Sequence, residues 1–362
     1  MNCNIIFPLH VLILCLCGVV AGQTTQPVVR DVTEVQGLPT RIAFGSCGHQ
    51  DKPQPVLDTV VLKQPDLFIY LGDNIYGDTL DMAVLQEKYD RLGGKTEFQN
   101  LRREVAVLSV WDDHDYGWND AGKEYRFKQE SKEIFMDFWR VPADSPRRQH
   151  EGIYGTHRFE SDGRVLQVIL LDTRTFRDPL KRNGSDIPES SGFKNDYQPD
   201  DDPEKTLLGD EQWRWLETQL REPADVRIIC SSIQFGHEYN GWESWTNLPR
   251  QQQKMVDLIR DSSASGVLFI SGDVHWAEIS RREFDNLYPL YDVTASGLTE
   301  EWYNVEPNQF RMGEAFRDNH FGMIEIDWSQ TEPAVSLQII DVAGEVRVRH
   351  DTSLDQLQLP SR

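Results

Sequence analysis

The sequence predicts a layered α/β fold in which helices cover β-sheets. Short apolar segments rich in β-branched and aliphatic residues recur along the chain, and segments with apolar residues at helical spacing separate several of them. Alternating strands and helices are typical of proteins whose helices pack on the faces of a sheet. The chain has no internal repeat, no low-complexity tract and no break in composition after its N-terminal segment, so we expect one domain there.

The predicted strands fall into two groups along the chain. The first group consists of Arg41–Ser46, Leu67–Leu71, Glu104–Trp111, Val165–Leu171, Val226–Ile233 and Val267–Ser271. The second group lies at 290–296, 321–328, 335–341 and 344–350. Few helical patterns separate the later strands, so we expect a mixed sheet, or a second sheet, to complete the domain.

Helical periodicity lies between the earlier strands. The predicted helices are Val56–Gln64, Met82–Leu92, Glu124–Trp139, Gly209–Leu220 and Pro249–Ile259. The stretch Asp178–Lys205 differs from them, because it is crowded with Asp, Pro, Asn, Gly and Ser and has no apolar period. This composition predicts a long surface loop, which we expect near the functional site.

The N-terminal segment has the order of a secretory signal peptide. Residues 1–22 contain no Asp, Glu, Lys or Arg, and the apolar stretch Val11–Val20 is followed by two small residues and a polar segment. The positively charged N-terminal region that usually begins a signal peptide is missing. The alternative of a membrane anchor is disfavoured, because the apolar stretch is shorter than the ~20 residues that span a bilayer. We therefore expect a secreted or periplasmic protein whose mature chain, residues 23–362, forms a single domain without a transmembrane span.

The charge of the chain restricts its partners. The chain has 37 Lys and Arg against 59 Asp and Glu, a formal net charge of −22. So acidic a surface repels phosphate backbones, which argues against nucleic acid as a tight partner. A small phosphate ester remains compatible with the charge, because bound cations reverse the field locally.

The predicted mature chain keeps two cysteines, Cys47 and Cys230. Two cysteines far apart in sequence do not make a disulfide framework. Cys230 ends an apolar run and is expected to be a small core residue. Cys47 follows a predicted strand and belongs to the pattern described next.

Five predicted strands run directly into acidic, His, Cys or Arg residues. These endings are Gly45-Ser46-Cys47, Gly72-Asp73-Asn74-Ile75-Tyr76, Trp111-Asp112-Asp113-His114-Asp115, Leu171-Asp172-Thr173-Arg174 and Gly272-Asp273-Val274-His275. In α/β sheets the loops at the carboxyl ends of strands converge on one crevice. One such ending is compatible with a turn or a helix cap, whereas five together indicate a ligand site.

Carboxylates gathered in one crevice repel each other, and metal ions supply the positive charge that they need. The set holds too little sulfur for a structural zinc site. Hard oxygen ligands favour Fe³⁺, Mn²⁺, Mg²⁺ or Ca²⁺, and the imidazole admits Zn²⁺. Two metal ions a few ångströms apart are able to bind a phosphoryl group and generate a hydroxide nucleophile.

These motifs resemble a known family. The segment Gly72-Asp73-Asn74-Ile75-Tyr76 is similar to the GDxxY element of calcineurin-like and purple acid phosphatases, and the five endings together resemble the alkaline phosphatase D (PhoD-like) family of metallophosphoesterases. The resemblance covers roughly residues 41–285. It implies a layered αββα sandwich with mixed sheets, and hydrolysis of phosphate monoesters or diesters by a metal-activated hydroxide. It also implies two or more metal ions, with iron and calcium preferred.

The resemblance further implies metal ligation by six residues, namely Cys47, Asp73, Tyr76, Asp113, Asp273 and His275. Asp73 would bridge both metals. Cys47, in place of the usual first Asp, would join Tyr76 and His275 at the first metal, where iron is expected. Asp113, where an Asn usually stands, would hold the second metal with Asp273, where calcium is expected.

Two further residues receive catalytic roles from the resemblance. His114 would protonate the leaving group or donate a hydrogen bond to the transition state, and metal ligation by this imidazole is the alternative. Arg174 would clamp the phosphate, because a guanidinium binds two phosphate oxygens at once. The usual third His ligand after Val226–Ile233 is missing, so the last ligand of the second metal stays open among residues such as Gln234, His237 and Glu238.

Other residues and other functions stay open at this point. Asp112 and Asp115 are expected to support the ligands, and Trp242 and Trp245 either line the cleft or pack on the core. One alternative function is a sulfatase-like or nucleotide hydrolase on the same scaffold. Another is a calcium-stabilised binding protein without catalysis, although pure calcium ligation requires neither His114 nor an arginine.

Overall fold

The structure is a computed structural model that describes Met1 and residues 29–183, 196–239 and 241–359. The predicted signal peptide therefore lies outside the described residues except for Met1, as does the central part of the predicted loop Asp178–Lys205. In the described part of the chain, no helix is both long enough and apolar enough to cross a membrane.

The described residues form two six-stranded mixed sheets. The first contains β1 (Arg41–Gly45), β2 (Leu67–Leu71), β3 (Ala106–Val110), β10 (His320–Asp327), β11 (Ala334–Asp341) and β12 (Val346–Ser353), in the order β12-β11-β10-β1-β2-β3. The second contains β4 (Gly155–Ser161), β5 (Arg164–Leu170), β6 (Val226–Cys230), β7 (Val267–Ser271), β8 (Ala277–Arg282) and β9 (Leu290–Ala295), in the order β4-β5-β6-β7-β9-β8. Strands β1–β3 are parallel, and so are β5, β6, β7 and β9.

Helices connect the parallel strands and cover the sheets. They are α1 (Pro55–Lys63), α2 (Met82–Gly93), α3 (Thr96–Glu104), α4 (Asp113–Tyr116), α5 (Lys128–Phe138), α6 (Pro146–Gln149), α7 (Gly209–Arg221) and α8 (Pro249–Asp261). Helices α1, α2, α3 and α5 pack together beside the first sheet, and α7 packs with α8 beside the second. Strands β2, β6 and β7 are buried along their whole length, as expected for strands covered on both faces. The predicted αββα sandwich with mixed sheets is confirmed.

The register of the parallel strands brings their carboxyl ends to one edge. In the first sheet Gly45 pairs with Tyr70, and Leu71 pairs with Val110. In the second sheet Leu170 pairs with Cys230, and β6 and β7 run alongside each other in the same direction. The loops that follow these strands therefore start at neighbouring positions, which places their side chains in one crevice.

Several predicted boundaries were wrong. The strand predicted from Glu104 begins at Ala106, because Glu104 is the last residue of α3, a helix that was not predicted. Only Phe98, Leu101 and the stem of Arg102 bury themselves on α3, so its apolar pattern is weak. The helix predicted from Glu124 begins only at Lys128.

Two strands were missed. Strand β4 is mostly polar and only partly buried because it forms an edge of the second sheet. Strand β8 buries the charged residue Glu278 and pairs with β9 at the opposite edge. The described parts of Asp178–Lys205 form no regular helix or strand, apart from an isolated bridge between Arg182 and Tyr197.

Candidate metal centre

The loops after β1, β2, β3 and β7 bring the expected ligand residues together. The ligand atoms of Cys47, Asp73 and His275 lie within 4.8 Å of one another. A second group with the same spacing consists of four carboxylates, from Asp73, Asp112, Asp113 and Asp273. Asp73 belongs to both groups, so two adjacent positions share one carboxylate.

Tyr76 lies beside the first group. Its phenol oxygen is 3.1 Å from Nε2 of His275. Its ring stacks on His49 at a centroid distance of 4.8 Å and contacts His114 at 4.3 Å on another side. These contacts fix the direction in which the phenol oxygen points.

The backbone of the site is held in an uncommon conformation. Cys47, Asp73, Asp273 and His275 have φ angles of 60°, 50°, 79° and 65°. Residues other than glycine seldom adopt the left-handed region, which costs of order 1–3 kcal/mol each. Four such residues in one cluster show that the surrounding sheets impose the positions of these side chains.

The site disfavours the charged forms of its own acids. Burial raises the pKa of the Cys47 thiol to about 12. Burial also raises the pKa of Asp73 and Asp273 well above the usual range, and neighbouring acidic groups add to both shifts. A cation bound among these groups would reverse this effect, since it favours the thiolate and the carboxylates.

Three oxygen atoms of the carboxylate group are buried without a hydrogen-bond partner. They are Oδ1 of Asp73, Oδ2 of Asp112 and Oδ1 of Asp113. Carboxylate oxygens only accept, so they need donors or a cation. The structure shows no metal, but the donor set, its spacing and these oxygens fit two ions at adjacent positions.

His114 is the basic group that faces the cleft from α4. Its Nδ1 donates to Oδ1 of Asp78 at 2.7 Å, and its side chain is 14% exposed. Burial alone would lower its pKa, but the carboxylates of Asp113, Asp73 and Asp78 outweigh burial and raise the pKa to about 11. These carboxylates therefore favour the protonated imidazole.

Arg174 does not occupy the position expected of a phosphate clamp. Its side chain is 0% exposed, and Nη1 donates to Oε2 of Glu243 at 2.5 Å while Nε donates to Oδ1 of Asp112 at 2.5 Å. The guanidinium thus lies behind the carboxylates rather than in the cleft. Together with His114 it lowers the pKa of Asp113 despite the burial of that carboxyl.

The cleft in front of these groups has a volume of about 160 Å³. Its lining includes the aromatic residues Tyr197, Trp242, Trp276 and Trp302 and no Lys or Arg among the described residues. Trp242 contacts Trp302 edge to face at 5.6 Å. Trp245, the other tryptophan considered for this lining, is instead fully buried and donates to the Ser231 hydroxyl.

Two acidic residues of the site were not predicted from the sequence. Asp120 and Glu243 form a further group with Asp113, again within 4.8 Å, besides a group of Asp73, Asp113 and His114. Glu243 also pairs with Arg177 at 3.0 Å. Both acids lie in loops without a recognisable pattern, and the only available signal was that Glu243 stands between two tryptophans.

The residues left open for the last metal position lie elsewhere. Gln234 donates to Glu278 and Thr294, and Nε2 of His237 is 3.5 Å from Glu278. In the described part of the chain, His237 belongs to none of the candidate ligand groups of His, Cys, Asp and Glu. Asp115, expected as a support, accepts hydrogen bonds from the backbone of Asn74 and Asp112 and from Tyr89.

Ser296 supports the first group from behind. Its hydroxyl lies 3.5 Å from the Cys47 sulfur and accepts the backbone N–H of His275 at 2.6 Å. Its own backbone N–H donates to Nε2 of His320. The loop after β9 therefore links the Cys47 thiol, which follows a strand of the first sheet, to the backbone of His275, which follows a strand of the second sheet.

The two packed sheets and the ligand-rich edge define the fold class of the metallophosphoesterases. The sequence model of the PhoD-like phosphatase family matches residues 42–303. The chain belongs to this family.

Known proteins resemble the chain to different extents. Alkaline phosphatase D of Bacillus subtilis (strain 168) is 25% identical over 297 residues, which are 71% of this chain and 48% of that protein. The chain thus spans about half the length of this curated relative. A solved structure of PhoD covers 88% of this chain and 69% of its own, with a TM-score of 0.64 and 16% identity. GAP50, described as the anchor in the inner membrane complex of Plasmodium, covers 90% of both chains with a TM-score of 0.55 and 13% identity. At these identities the two structures support the fold alone.

Proposed function

We propose that this chain hydrolyses small phosphate esters at a centre of two metal ions. The observation that carries the proposal is the position of Asp73, whose carboxylate belongs to both the Cys47–His275 group and the carboxylate group. A carboxylate shared in this way is suited to bridge two cations. Membership of the PhoD-like phosphatase family supports the same chemistry.

The donor sets suggest which ions the two positions prefer. Cys47, Tyr76 and His275 surround the first position, and this mixture of sulfur, phenol and imidazole with one carboxylate suits Fe³⁺. The second position is surrounded by carboxylates, which suit Ca²⁺. Zn²⁺, Mn²⁺ and Mg²⁺ are the alternative ions for the same sites.

The bound ions would supply the positive charge that binds the phosphoryl group and would activate a water molecule for attack. This role is needed because no Lys or Arg lines the described cleft. His114 lines the cleft, and its proposed role is to protonate the leaving oxygen. The proposed role of Arg174 is to hold Asp112 and Glu243 in position, not to contact the substrate.

The metal content of the purified protein tests the proposal. We expect close to two ions per chain in wild type, and a loss of at least one ion together with hydrolysis in Asp73→Asn. The matched control is Asp292→Asn, because Asp292 is equally buried but accepts only from backbone N–H groups and Ser271. Metal-free wild-type protein from metal-replete medium would refute the bimetal centre.

A substrate panel then separates the kinds of ester. Monoesters, diesters and sulfate esters that share one leaving group are compared on wild type and Asp73→Asn. Hydrolysis of phosphate esters that is lost in Asp73→Asn supports the proposal, and a preference for sulfate esters would move the chain to another class. Bound calcium without hydrolysis of any ester would favour the non-catalytic binding protein, although calcium ligation alone requires no histidine such as His114 in the cleft.

We further propose that residues 1–22 are a signal peptide and that residues 23–362 are exported as one domain. The uncharged apolar segment 11–20 and the acidic remainder of the chain support this proposal. N-terminal sequencing of the protein recovered from the medium or periplasm tests it. An intact Met1 on an exported chain would contradict cleavage.

A further inference from the structure

A second cavity lies beside β3 and β4, which are edge strands of the first and the second sheet respectively. It has a volume of about 250 Å³ and is lined by residues 107–109 of β3 and by His157 of β4. Arg147 bridges this edge, because it donates to the carbonyl oxygens of Ser109 and Ile153. The cavity shares no lining residue with the metal-centre cleft.

This cavity is strongly basic in an acidic protein. Its lining contains four arginines and one aspartate, namely Arg30, Arg102, Arg140, Arg147 and Asp31, which gives a local charge of +3. The whole chain has a formal net charge of −22. Burial lowers the pKa of His157 to about 4, so that imidazole is neutral at pH 7 and adds nothing to the charge. The lining therefore attracts an anion.

Arg102 is the central cation of the cavity. Its side chain is only 7% exposed, and it forms no ion pair within the described residues. Its guanidinium lies 5.3 Å from the ring centroid of Trp139, and its Nε is buried without a hydrogen-bond partner. The charge of Asp31 favours the charged form of Arg102, but burial outweighs it and lowers the pKa of Arg102 to about 10.

Two further donors next to Arg102 also have no partner. Nε1 of Trp139 and the hydroxyl of Tyr70 are both buried without a hydrogen bond. The two rings contact each other at a centroid distance of 5.0 Å. Guanidinium and indole N–H groups only donate, whereas the Tyr70 hydroxyl both donates and accepts, so donors outnumber acceptors in this cluster. A ligand that accepts several hydrogen bonds and carries negative charge satisfies them all.

The size of the cavity indicates what such a ligand is. A single water molecule takes a volume of only ~30 Å³ and carries no charge to balance Arg102. A tetrahedral oxyanion offers several acceptor oxygens and pairs well with the planar fork of a guanidinium. We propose that this cavity is a second anion site that binds an oxyanion of the orthophosphate class, with Arg102 as its main cation and Trp139 as a donor. The inference does not depend on the function proposed for the metal centre.

Counting bound inorganic phosphate on the metal-loaded full chain tests the proposal. Wild type is titrated calorimetrically beside Arg102→Met, Asp73→Asn and the control Arg103→Met, whose arginine is exposed on the same helix and pairs with Glu104. We expect Arg102→Met to lose one phosphate that wild type, Asp73→Asn and Arg103→Met retain. Equal stoichiometry and affinity in wild type and Arg102→Met would overturn the second site. Failure of the metal centre as a phosphate site would appear separately, as identical binding in wild type and Asp73→Asn.

A conservative variant keeps the test valid if Arg102→Met does not fold. Trp139→Phe retains a ring beside Arg102 and removes only the donor N–H. We expect phosphate affinity to fall about 10- to 100-fold, the usual effect of losing one hydrogen bond to a charged group. Without phosphate, we expect its thermal midpoint to equal or exceed that of wild type, because an unpartnered buried donor is gone. Unchanged phosphate affinity with a lower midpoint would show that the indole serves packing alone.

Discussion

Nε2 of His320 accepts the backbone N–H of Ser296 at 3.0 Å, directly behind Cys47 of the candidate metal centre. On the other side of the ring, Nδ1 donates to the carbonyl oxygen of Asp318 at 2.7 Å. These two bonds require a neutral imidazole with its proton on Nδ1. A second proton on Nε2 would face the N–H of Ser296, so protonation and the native loop are incompatible.

This relationship predicts an acid-sensitive fold. Burial lowers the pKa of His320 to about 4 from 6.5, so the unfolded chain binds more protons between these values. The contribution of His320 to stability is complete above pH 6.5 and is lost as the pH falls towards 4, by about 3 kcal/mol. Urea unfolding of wild type and His320→Gln between pH 7 and 4 measures it. The difference in unfolding free energy should narrow on acidification, and parallel curves would contradict the prediction.

Replacement by alanine should lower the free energy of unfolding by different amounts at Gly72 and at Gly163. Gly72 has φ 102°, and a Cβ there would lie 2.5 Å from Cβ of Asp112 and 2.7 Å from its backbone nitrogen. Gly163 has φ 77°, but a Cβ there meets nothing within 4 Å. We expect Gly163→Ala to cost about 1–2 kcal/mol of unfolding free energy. Gly72→Ala should cost about 1–3 kcal/mol more through overpacking and should also lose metal, because it displaces Asp73.

Unfolding titrations and metal analysis of both alanine variants decide the comparison. Full metal content in Gly72→Ala would show that the loop after β2 tolerates the displacement. Equal losses of stability in the two variants would show that backbone conformation alone sets the cost.

Removing Arg174 should destabilise the protein instead of weakening substrate binding. Arg174→Met leaves the buried carboxylate of Asp112 without its cation, whereas Glu243 keeps Arg177 at 3.0 Å, and the unpaired charge costs about 3–5 kcal/mol. Adding Asp112→Asn should restore part of that loss, because the uncompensated charge is removed. Unfolding free energies of the single and double variants test this. A stable Arg174→Met enzyme with only a higher KM would restore the clamp role.

His114 should matter most for esters with poor leaving groups. If it protonates the leaving oxygen, His114→Asn lowers the hydrolysis of alkyl esters about 10²- to 10⁴-fold. Esters of acidic phenols leave without a proton, so their hydrolysis should fall much less. Measuring kcat/KM for both kinds of ester on wild type and the variant gives the comparison. Equal losses for both would assign His114 to positioning.

The sequence was informative where a local pattern carries the structure. An apolar run followed by Gly-Asp or Ser-Cys predicts both a strand and the position where it ends. The alternation of strands and helices predicts that these ends lie close together. Cys47, Asp73, Asp113 and Asp273 could therefore be placed at one edge before the structure was known. The sheet order and the left-handed backbone at these residues had no such local signal.

The remaining differences arise from contacts between distant segments. Asp120 and Glu243 reach the site from irregular loops, where no strand ending or ligand motif marks them. Arg174 follows Asp172, whose carboxylate accepts the Arg174 backbone N–H and fixes the turn so that the guanidinium enters the interior. The motif itself does not predict the ion pair between Arg174 and Glu243, which are 69 residues apart in the sequence.

The first ligand group has a mechanical consequence for the whole molecule. Cys47 and Asp73 follow strands of one sheet, whereas His275 follows a strand of the other, and their ligand atoms lie within 4.8 Å. An ion held there is a crosslink between the two halves of the sandwich. Because such an ion would bind the folded chain and not the unfolded one, the free energy of unfolding would rise with the concentration of the ion. The protein would thus be more stable where its metal is plentiful, and loss of that metal would expose it to unfolding and proteolysis.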